Sequence, residues 1–125
     1  MDKLTHVYDC TGNLIFFDRY VLDDNKRSIK LSDDQYLIAV ETIAAPTLII
    51  ELNNNCPVRY YYRANGDRSL ILGVKFSNGI WQVNEYIENT TVSFLLTRLK
   101  QHLRDGQITI YLENEMEDNA LGNLF

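Results

Sequence analysis

The stretch from Cys56 to Ile87 reads CPVRYYYRANGDRSLILGVKFSNGIWQVNEYI and decides the fold. It contains two Asn-Gly pairs, Asn65-Gly66 and Asn78-Gly79, each between runs of residues that favour β-strands. Asn and Gly tolerate the positive φ angles that the two central positions of a type I′ hairpin turn require. The stretch therefore predicts a three-stranded antiparallel meander over residues 58–87.

Two-residue turns also predict which residues face one another across this meander. With turns at the two Asn-Gly pairs, Tyr61 is predicted to face Leu70, and Ile71 to face both Tyr60 and Tyr86. One sheet face then carries the apolar residues of a core: Tyr61, Leu70, Leu72, Val74, Phe76, Trp81, Val83 and Ile87. Arg59 and Glu85 fall on that same face, where they could form an ion pair.

The opposite face carries the row Tyr60–Ile71–Tyr86, with Tyr62 beside it. An apolar row with polar neighbours can mark a binding surface, and tyrosine is enriched at the cores of interfaces. The alternative is that the first hairpin or the first helix buries this face, which is the commoner fate of an apolar row.

The residues before the meander predict three strands and a helix. Leu4–Asp9 and Leu14–Leu22 flank a turn and form a first hairpin, and Arg27–Leu31 is a short third strand. Ser32 and Gln35 match a capping box, and apolar residues then recur at helical spacing, which predicts a helix over about residues 33–44. A strand through YLIAVETI is the alternative, because a short apolar run is ambiguous.

The remaining elements complete the predicted fold class. Thr47–Leu52 and Gln107–Leu112 have the pattern of strands, and apolar residues at helical spacing predict a second helix over about residues 90–105 that covers the core face. We therefore predict an α+β fold, in which a mainly antiparallel sheet of about six to eight strands is packed by two helices. It forms a single domain over residues 1–125, with an acidic tail at 113–125.

Composition limits the classes of partner. The 125 residues carry a formal net charge of −5, which favours basic partners and disfavours DNA and anionic membranes. No apolar run is long enough for a membrane span or a signal peptide. Cys10 and Cys56 are most simply free thiols in a reducing compartment, with a disulfide between them as the alternative. These features predict a cytoplasmic location.

No signature for catalysis or for a cofactor stands out. The only histidines are His6 and His102, and no spacing of ligands matches a zinc, EF-hand or phosphate-binding motif. Arginines beside Tyr60–Tyr62 superficially suggest an RNA platform, but strand alternation points Arg59 and Arg63 away from Tyr60 and Tyr62, and the net charge opposes it. We predict no catalytic residue, no metal, no cofactor and no nucleic-acid partner.

The leading functional hypothesis is a non-catalytic protein-binding module of the immunity or inhibitor type, which blocks a basic partner such as a toxin domain. Tyrosines and carboxylates are predicted to contact the partner, with electrostatic steering raising the association rate: Tyr60, Tyr62, Tyr86, Asp23, Asp24, Glu113, Glu115 and Glu117. One alternative is a structural subunit that self-associates through its sheet face or edge. Another is a small enzyme or ligand-binding domain.

Overall fold

The computed structural model describes residues 5–52, 57–65, 68–88, 93, 97, 100 and 108–112, with backbone alone for 65, 68 and 108–112. These residues form nine strands and one helix. In chain order the elements are β1 (Thr5–Tyr8), β2 (Leu14–Phe17), β3 (Tyr20–Leu22), β4 (Ser28–Lys30), α1 (Asp33–Ala44), β5 (Leu48–Leu52), β6 (Val58–Asn65), β7 (Arg68–Ser77), β8 (Ile80–Glu88) and β9 (Ile108–Leu112).

All nine strands belong to one sheet, in the order β1-β2-β8-β7-β6-β5-β9. Strand β8 also pairs with β3, which in turn pairs with β4. The pairings of β8 with β2 and with β3 are parallel, and the other pairings are antiparallel. The segment β2–β3 therefore runs beside β8 in two short contacts, at Trp81–Gln82 and at Glu85.

The prediction of a sheet packed by two helices is wrong. The described residues contain one helix and more strands than expected, so the molecule is mostly sheet. The predicted helix over residues 90–105 falls on a range of which the structure describes only residues 93, 97 and 100. The strand count is higher because the predicted strand Leu14–Leu22 is divided into β2 and β3.

The first helix and its cap are confirmed. Helix α1 spans Asp33–Ala44, and the Ser32 hydroxyl accepts a hydrogen bond from the Gln35 backbone N–H at 3.1 Å. The Gln35 side-chain oxygen accepts in return from the Ser32 N–H at 2.9 Å. This capping box pairs two backbone donors that the first helical turn leaves unsatisfied, which explains why the helix, and not a strand, begins here.

The meander is confirmed, with one shift in its first hairpin. Asn65 lies opposite Arg68, so Tyr61 faces Leu72 and not Leu70. The shift amounts to two residues, and it leaves each side chain of β6 on its predicted face because strand side chains alternate with a period of two. The second turn has the predicted register, with φ angles of 54° at Asn78 and 80° at Gly79.

A β-bulge between Gly73 and Val74 changes the second half of β8. Val74 faces Val83, but Gly73 faces Glu85, so Asn84 is the extra residue. A bulge of one residue exchanges the two faces beyond it. Tyr86 therefore lies opposite Leu72, and Ile71 lies between Tyr62 and Ile87. The predicted row Tyr60–Ile71–Tyr86 is thus wrong at both ends, because the shift in the first hairpin places Tyr60 opposite Gly73.

The two faces bury separate clusters. The helix face, which carries Tyr61, Leu72 and Val74, packs with Ala39 and Ile43 of α1. The opposite face, here called the tyrosine face, buries a second cluster of strand residues from β5 to β8: Leu48, Ile50, Leu52, Tyr60, Tyr62, Ile71 and Ile87. Helix α1 thus packs on the face that we assigned to the predicted second helix.

Candidate functional site

The turn of the first hairpin is built around Asp9. Its Oδ1 accepts hydrogen bonds from the Thr11 N–H at 2.9 Å, the Thr11 hydroxyl at 2.8 Å and the Asn13 N–H at 2.9 Å. An aspartate that accepts from the backbone two residues later mimics a backbone turn. Gly12, at φ 87°, supplies the left-handed conformation that closes the loop. The loop therefore holds the Asp9 carboxylate in a fixed orientation.

This carboxylate joins a buried group of charges, here called the charged cluster and formed by Asp9, Glu51, Arg59 and Tyr61. Arg59 Nη1 donates to Asp9 Oδ2 at 2.9 Å, and Arg59 Nε donates to Glu51 Oε1 at 2.5 Å. The Tyr61 hydroxyl donates to Asp9 Oδ2. The Arg59 side chain is 6% exposed and that of Asp9 is fully buried. One cation thus bridges two carboxylates, one in the turn of the first hairpin and one on β5.

Further contacts saturate the arginine. Its Nη1 also lies 3.1 Å from the Thr11 hydroxyl, and its guanidinium carbon lies 4.9 Å from the ring centroid of Trp81. With the Asn13 amide oxygen facing the arginine, that oxygen accepts from both terminal nitrogens at 3.0 and 3.1 Å. A buried charge pair is tolerated when its remaining donors find partners. The geometry is that of a structural tether that fastens the first hairpin to β5 and β6.

Burial raises the pKa of the Tyr61 phenol above its usual range, and the hydrogen bond to Asp9 acts in the same direction. For Arg59, burial by itself favours the neutral form, but the hydrogen bonds to Tyr61 and Glu51 outweigh it and raise the pKa of the guanidinium. Tyr61 is therefore a neutral hydrogen-bond donor and Arg59 a fixed cation. Neither group is poised to exchange a proton near neutral pH.

The raised pKa of Tyr61 predicts how stability changes with pH. A phenol whose pKa is higher in the folded than in the unfolded state contributes its full stabilisation below about pH 10, and that contribution falls as the pH rises further. We expect the urea midpoint to fall between about pH 10 and pH 12, and Tyr61→Phe to flatten this fall. An exposed-residue control, Tyr8→Phe, should keep the wild-type profile. An unaltered slope in Tyr61→Phe would contradict the assignment.

The predicted tyrosine contacts are buried. Tyr60 and Tyr62 are each 8% exposed on the tyrosine face, and Tyr86 is 3% exposed on the helix face. The Tyr86 hydroxyl donates to Glu88 Oε1 at 2.6 Å. Burial raises the pKa of Tyr62, and its hydrogen bond to Ser69 acts in the opposite direction. In this conformation the three side chains offer almost no area to a partner, and they do not form one surface.

The predicted acidic contacts have separate positions. Asp23 Oδ1 accepts from the backbone N–H groups of Asn25 and Arg27 at 2.9 Å each, so this carboxylate shapes the β3–β4 turn. Asp24 is exposed in the same turn. The other three acids, Glu113, Glu115 and Glu117, lie outside the described residues.

The described part of the chain has neither a metal-binding group nor a membrane-spanning helix. It contains no group of three or more His, Cys, Asp or Glu side chains that could hold a metal ion. Within this part, no helix has the length and apolar character needed to cross a membrane. Cys10 is exposed in the first turn, whereas Cys56 and His102 fall outside the described residues.

Exposed aromatic rings lie on the tyrosine face outside its buried cluster. Tyr8 is 65% exposed and Tyr20 is 54% exposed. His6 and Phe16 face each other across β1 and β2, with ring centroids 5.8 Å apart. Val7 and Val21 point to the helix face, so alternation places His6, Tyr8 and Tyr20 on the other face. We call His6, Tyr8 and Tyr20, together with the half-buried Phe16, the exposed aromatic surface.

A groove of about 320 Å³ adjoins this surface at the β8 bulge. Its polar lining residues are Tyr20, Ser28, Lys75, Ser77, Gln82 and Asn84. The row Phe16–Gln82–Lys75 runs across β2, β8 and β7, so the groove is continuous with the aromatic rings. Within the described residues, the Asn84 Oδ1 atom is buried and accepts no hydrogen bond. We call this site the bulge groove.

A second depression, of about 580 Å³, lies at the start of α1 and includes Arg19, Ser32 and Asp33. Its charged groups already have partners: Arg19 Nη1 lies 2.6 Å from Asp33 Oδ1, and the guanidinium stacks 4.8 Å from the Tyr36 ring centroid. The capping box also occupies the backbone donors there. The depression is therefore a weaker candidate than the bulge groove.

Comparison with models of protein families, with curated proteins and with solved structures yields no match to this chain. The exposed aromatic surface and the bulge groove are therefore the two candidate sites of this protein. Strand alternation in LIFF and in THVY could have predicted the faces of Phe16 and His6. Nothing in the sequence around Asn84 predicts the bulge.

Proposed function

We propose that this protein is a non-catalytic protein-binding module that engages its partner through the exposed aromatic surface. The observation that carries the proposal is the pair of tyrosines, Tyr8 and Tyr20, each more than half exposed on one face of the sheet. Tyrosine combines a large apolar ring with a polar hydroxyl, which suits a surface that is wet when free and buried when bound.

The narrower form of the proposal is an inhibitor or immunity-type role toward a basic partner such as a toxin domain. The formal net charge of −5 supports it, because opposite net charges speed association. The two cysteines, if they are thiols, fit a reducing compartment, so we place the function in the cytoplasm. The proposal involves no cofactor, nucleic acid or membrane, and Asp24 remains a candidate acidic contact.

Removing both tyrosine rings is expected to weaken the complex at least tenfold. Aromatic side chains are the common hot spots of interfaces, and truncating one typically costs 1 kcal/mol or more. The test recovers partners from the native host with tagged wild-type protein and then measures their affinity for wild type and for Tyr8→Ala/Tyr20→Ala. Both side chains are exposed, so the unfolding temperature should change little.

Leu37→Ala provides the matched control, because Leu37 is 59% exposed but lies on α1. It should retain wild-type affinity for the recovered partner. The proposal fails if the wild type recovers no partner, or if Tyr8→Ala/Tyr20→Ala binds as tightly as Leu37→Ala.

Self-association is the second candidate function, and the position of β1 favours it. Strand β1 is the last in the sheet path, and three of its four residues are exposed. An edge strand presents unpaired backbone groups that a second copy can extend. Sedimentation velocity at several protein concentrations tests this, since a protein that stays monomeric throughout excludes the assembly role. Tyr8→Ala/Tyr20→Ala leaves the backbone of the edge in place and should not abolish a dimer formed by strand pairing.

A further inference from the structure

Asn84 has no register partner on either side within the described pairings. On β7, Val74 faces Val83 and Gly73 faces Glu85, so the bulge passes over it. On the other edge of β8, β2 contacts Trp81 and Gln82, and β3 contacts Glu85. Bulges are over-represented beside functional sites, where they redirect a side chain. Here the bulge leaves Asn84 of β8 unpaired with β7 on one side and with β2 and β3 on the other, and Asn84 lines the bulge groove.

The Asn84 side chain also lacks a partner for its carbonyl oxygen. Its Oδ1 is buried without a hydrogen bond among the described residues. A buried acceptor without a donor costs free energy, and such an atom in a native structure calls for an explanation. A donor from a bound molecule would satisfy it once the Asn84 amide turns toward the groove, and the backbone N–H of a bound segment is the commonest donor that a protein can offer.

The remaining polar groups of the groove point to the charge of that segment. Lys75 is the only charged residue of the lining, it is exposed, and it makes no ion pair in the described structure. The neighbouring cation, Lys26, is already engaged by Glu85 at 2.9 Å. Ser28, Ser77, Gln82 and Tyr20 add hydroxyl and amide donors. A free ammonium surrounded by neutral donors is complementary to a carboxylate.

We propose that the bulge groove anchors an acidic side chain of the partner, with the carboxylate at Lys75 and a backbone N–H of the same segment at Asn84 Oδ1. The inference rests on the proposed binding function and names the chemistry of its anchor. The chain's net charge governs steering at long range, whereas a single contact is governed by the groups that line it. A basic partner that presents one glutamate or aspartate at its docking surface is attracted at long range by the net charge of −5 and still fits the local contact at Lys75.

The test titrates 15N-labelled protein with acetyl-Gly-Glu-Gly-amide and follows the backbone signals of Gln82, Val83 and Asn84. We expect saturable shifts with a dissociation constant of about a millimolar or weaker, as suits a single anchoring contact. The matched peptides acetyl-Gly-Gln-Gly-amide and acetyl-Gly-Lys-Gly-amide should cause smaller shifts at the same concentrations. Equal shifts with all three peptides, or no shifts with any, would overturn the proposal.

Two variants identify the groups responsible. Lys75→Gln is expected to weaken binding of the glutamate peptide about fivefold. Arg27→Gln removes the same charge outside the groove lining, so it should leave the affinity for this peptide within about twofold of wild type. Asn84→Ala is expected to weaken it about threefold or more without lowering the unfolding temperature, because it removes an acceptor that has no partner in the free protein. Unchanged affinity in both Lys75→Gln and Asn84→Ala would overturn the proposal.

The peptide titration and the partner-affinity measurement can contradict the two proposals separately. If the glutamate peptide does not bind but Tyr8→Ala/Tyr20→Ala loses the recovered partner, the groove proposal is wrong and the binding function stands. If the peptide binds the groove as expected but Tyr8→Ala/Tyr20→Ala keeps full affinity for the partner, the aromatic surface is wrong and the anchor stands as a ligand site.

Discussion

Arg59→Met is expected to destabilise the protein by about 3–5 kcal/mol, because it leaves buried carboxylates without their counter-ion. The Asp9 side chain is fully buried and that of Glu51 is 16% exposed, so water cannot replace the guanidinium at Asp9. Methionine keeps the apolar stem of arginine and removes the guanidinium end, so the loss reports the charge and its hydrogen bonds more than lost packing of the stem.

Urea unfolding followed by tryptophan fluorescence measures this change, since Trp81 lies against Arg59. Arg19→Met is the matched control. Its partner, Asp33, has a side chain that is 88% exposed, and an exposed pair of this kind contributes about 1 kcal/mol or less. Similar losses in Arg59→Met and Arg19→Met would contradict the role of the charged cluster as a tether.

A second substitution separates the missing bonds from the uncompensated charge. Asp9→Asn keeps an oxygen that can accept from Thr11 and Asn13, but it removes the negative charge that Arg59 balances. Arg59→Met/Asp9→Asn should therefore be more stable than the sum of the two single changes predicts, with a coupling of about 1 kcal/mol or more. Strict additivity would show that the two groups do not form one unit.

Local signals predicted the parts of the fold that depend on neighbouring residues. The Asn78-Gly79 pair predicted a tight turn with positive φ at both positions, and Ser32 with Gln35 predicted the start of α1. Both rest on contacts within four residues. The bulge at Gly73/Val74 depends on how β8 fits between β7 and the β2–β3 segment, and no pattern in a single sequence expresses such a fit.

The sequence could not predict which distant residues form the ion pairs of Arg59 and Glu85. The meander register suggested that Arg59 and Glu85 form an ion pair. Instead Arg59 pairs with Asp9, 50 residues earlier, and Glu85 pairs with Lys26, 59 residues earlier. The spacing Asp9-x-Thr11-x-Asn13 does suggest a side-chain turn. Which distant cation that carboxylate meets depends on the path of the whole sheet.

The same bulge explains why the three tyrosines of the predicted contact surface lie on two different faces of the sheet. Before it, Tyr60 and Tyr62 lie on the tyrosine face as alternation requires, and after it Tyr86 lies on the helix face. The exposure of a side chain on the tyrosine face then depends on which strands of that face the rest of the protein covers. The part on β1 and β3 is exposed, and the part on β5 and β6 is buried. The candidate surface therefore moves from Tyr60 and Tyr62 to Tyr8 and Tyr20.

Gly73 lies beside the bulge, where the Glu85 side chain of β8 approaches the backbone of β7. A Cβ atom built at Gly73 would lie 2.8 Å from Glu85 Oε1 and 3.0 Å from Glu85 Cβ. Glu85 is 5% exposed, and its carboxylate is held by Lys26, so it cannot swing freely into solvent. Glycine at this position therefore makes room for the buried carboxylate of this ion pair.

Gly73→Val is accordingly expected to destabilise the protein by about 2–3 kcal/mol, as overpacking of a buried site does. The sign of this change in stability separates two explanations. Valine favours strands and glycine weakens them, so strand propensity alone predicts that Gly73→Val stabilises the protein. Urea unfolding of Gly73→Val, Glu85→Ala and the double variant tests the cause. If the Glu85 side chain is the obstacle, Glu85→Ala removes the contacts beyond Cβ, and the double variant should lose about 1 kcal/mol less than the sum of the single changes. A stabilised Gly73→Val would show that the strand accommodates a side chain there, and that the close approach of Glu85 does not require glycine.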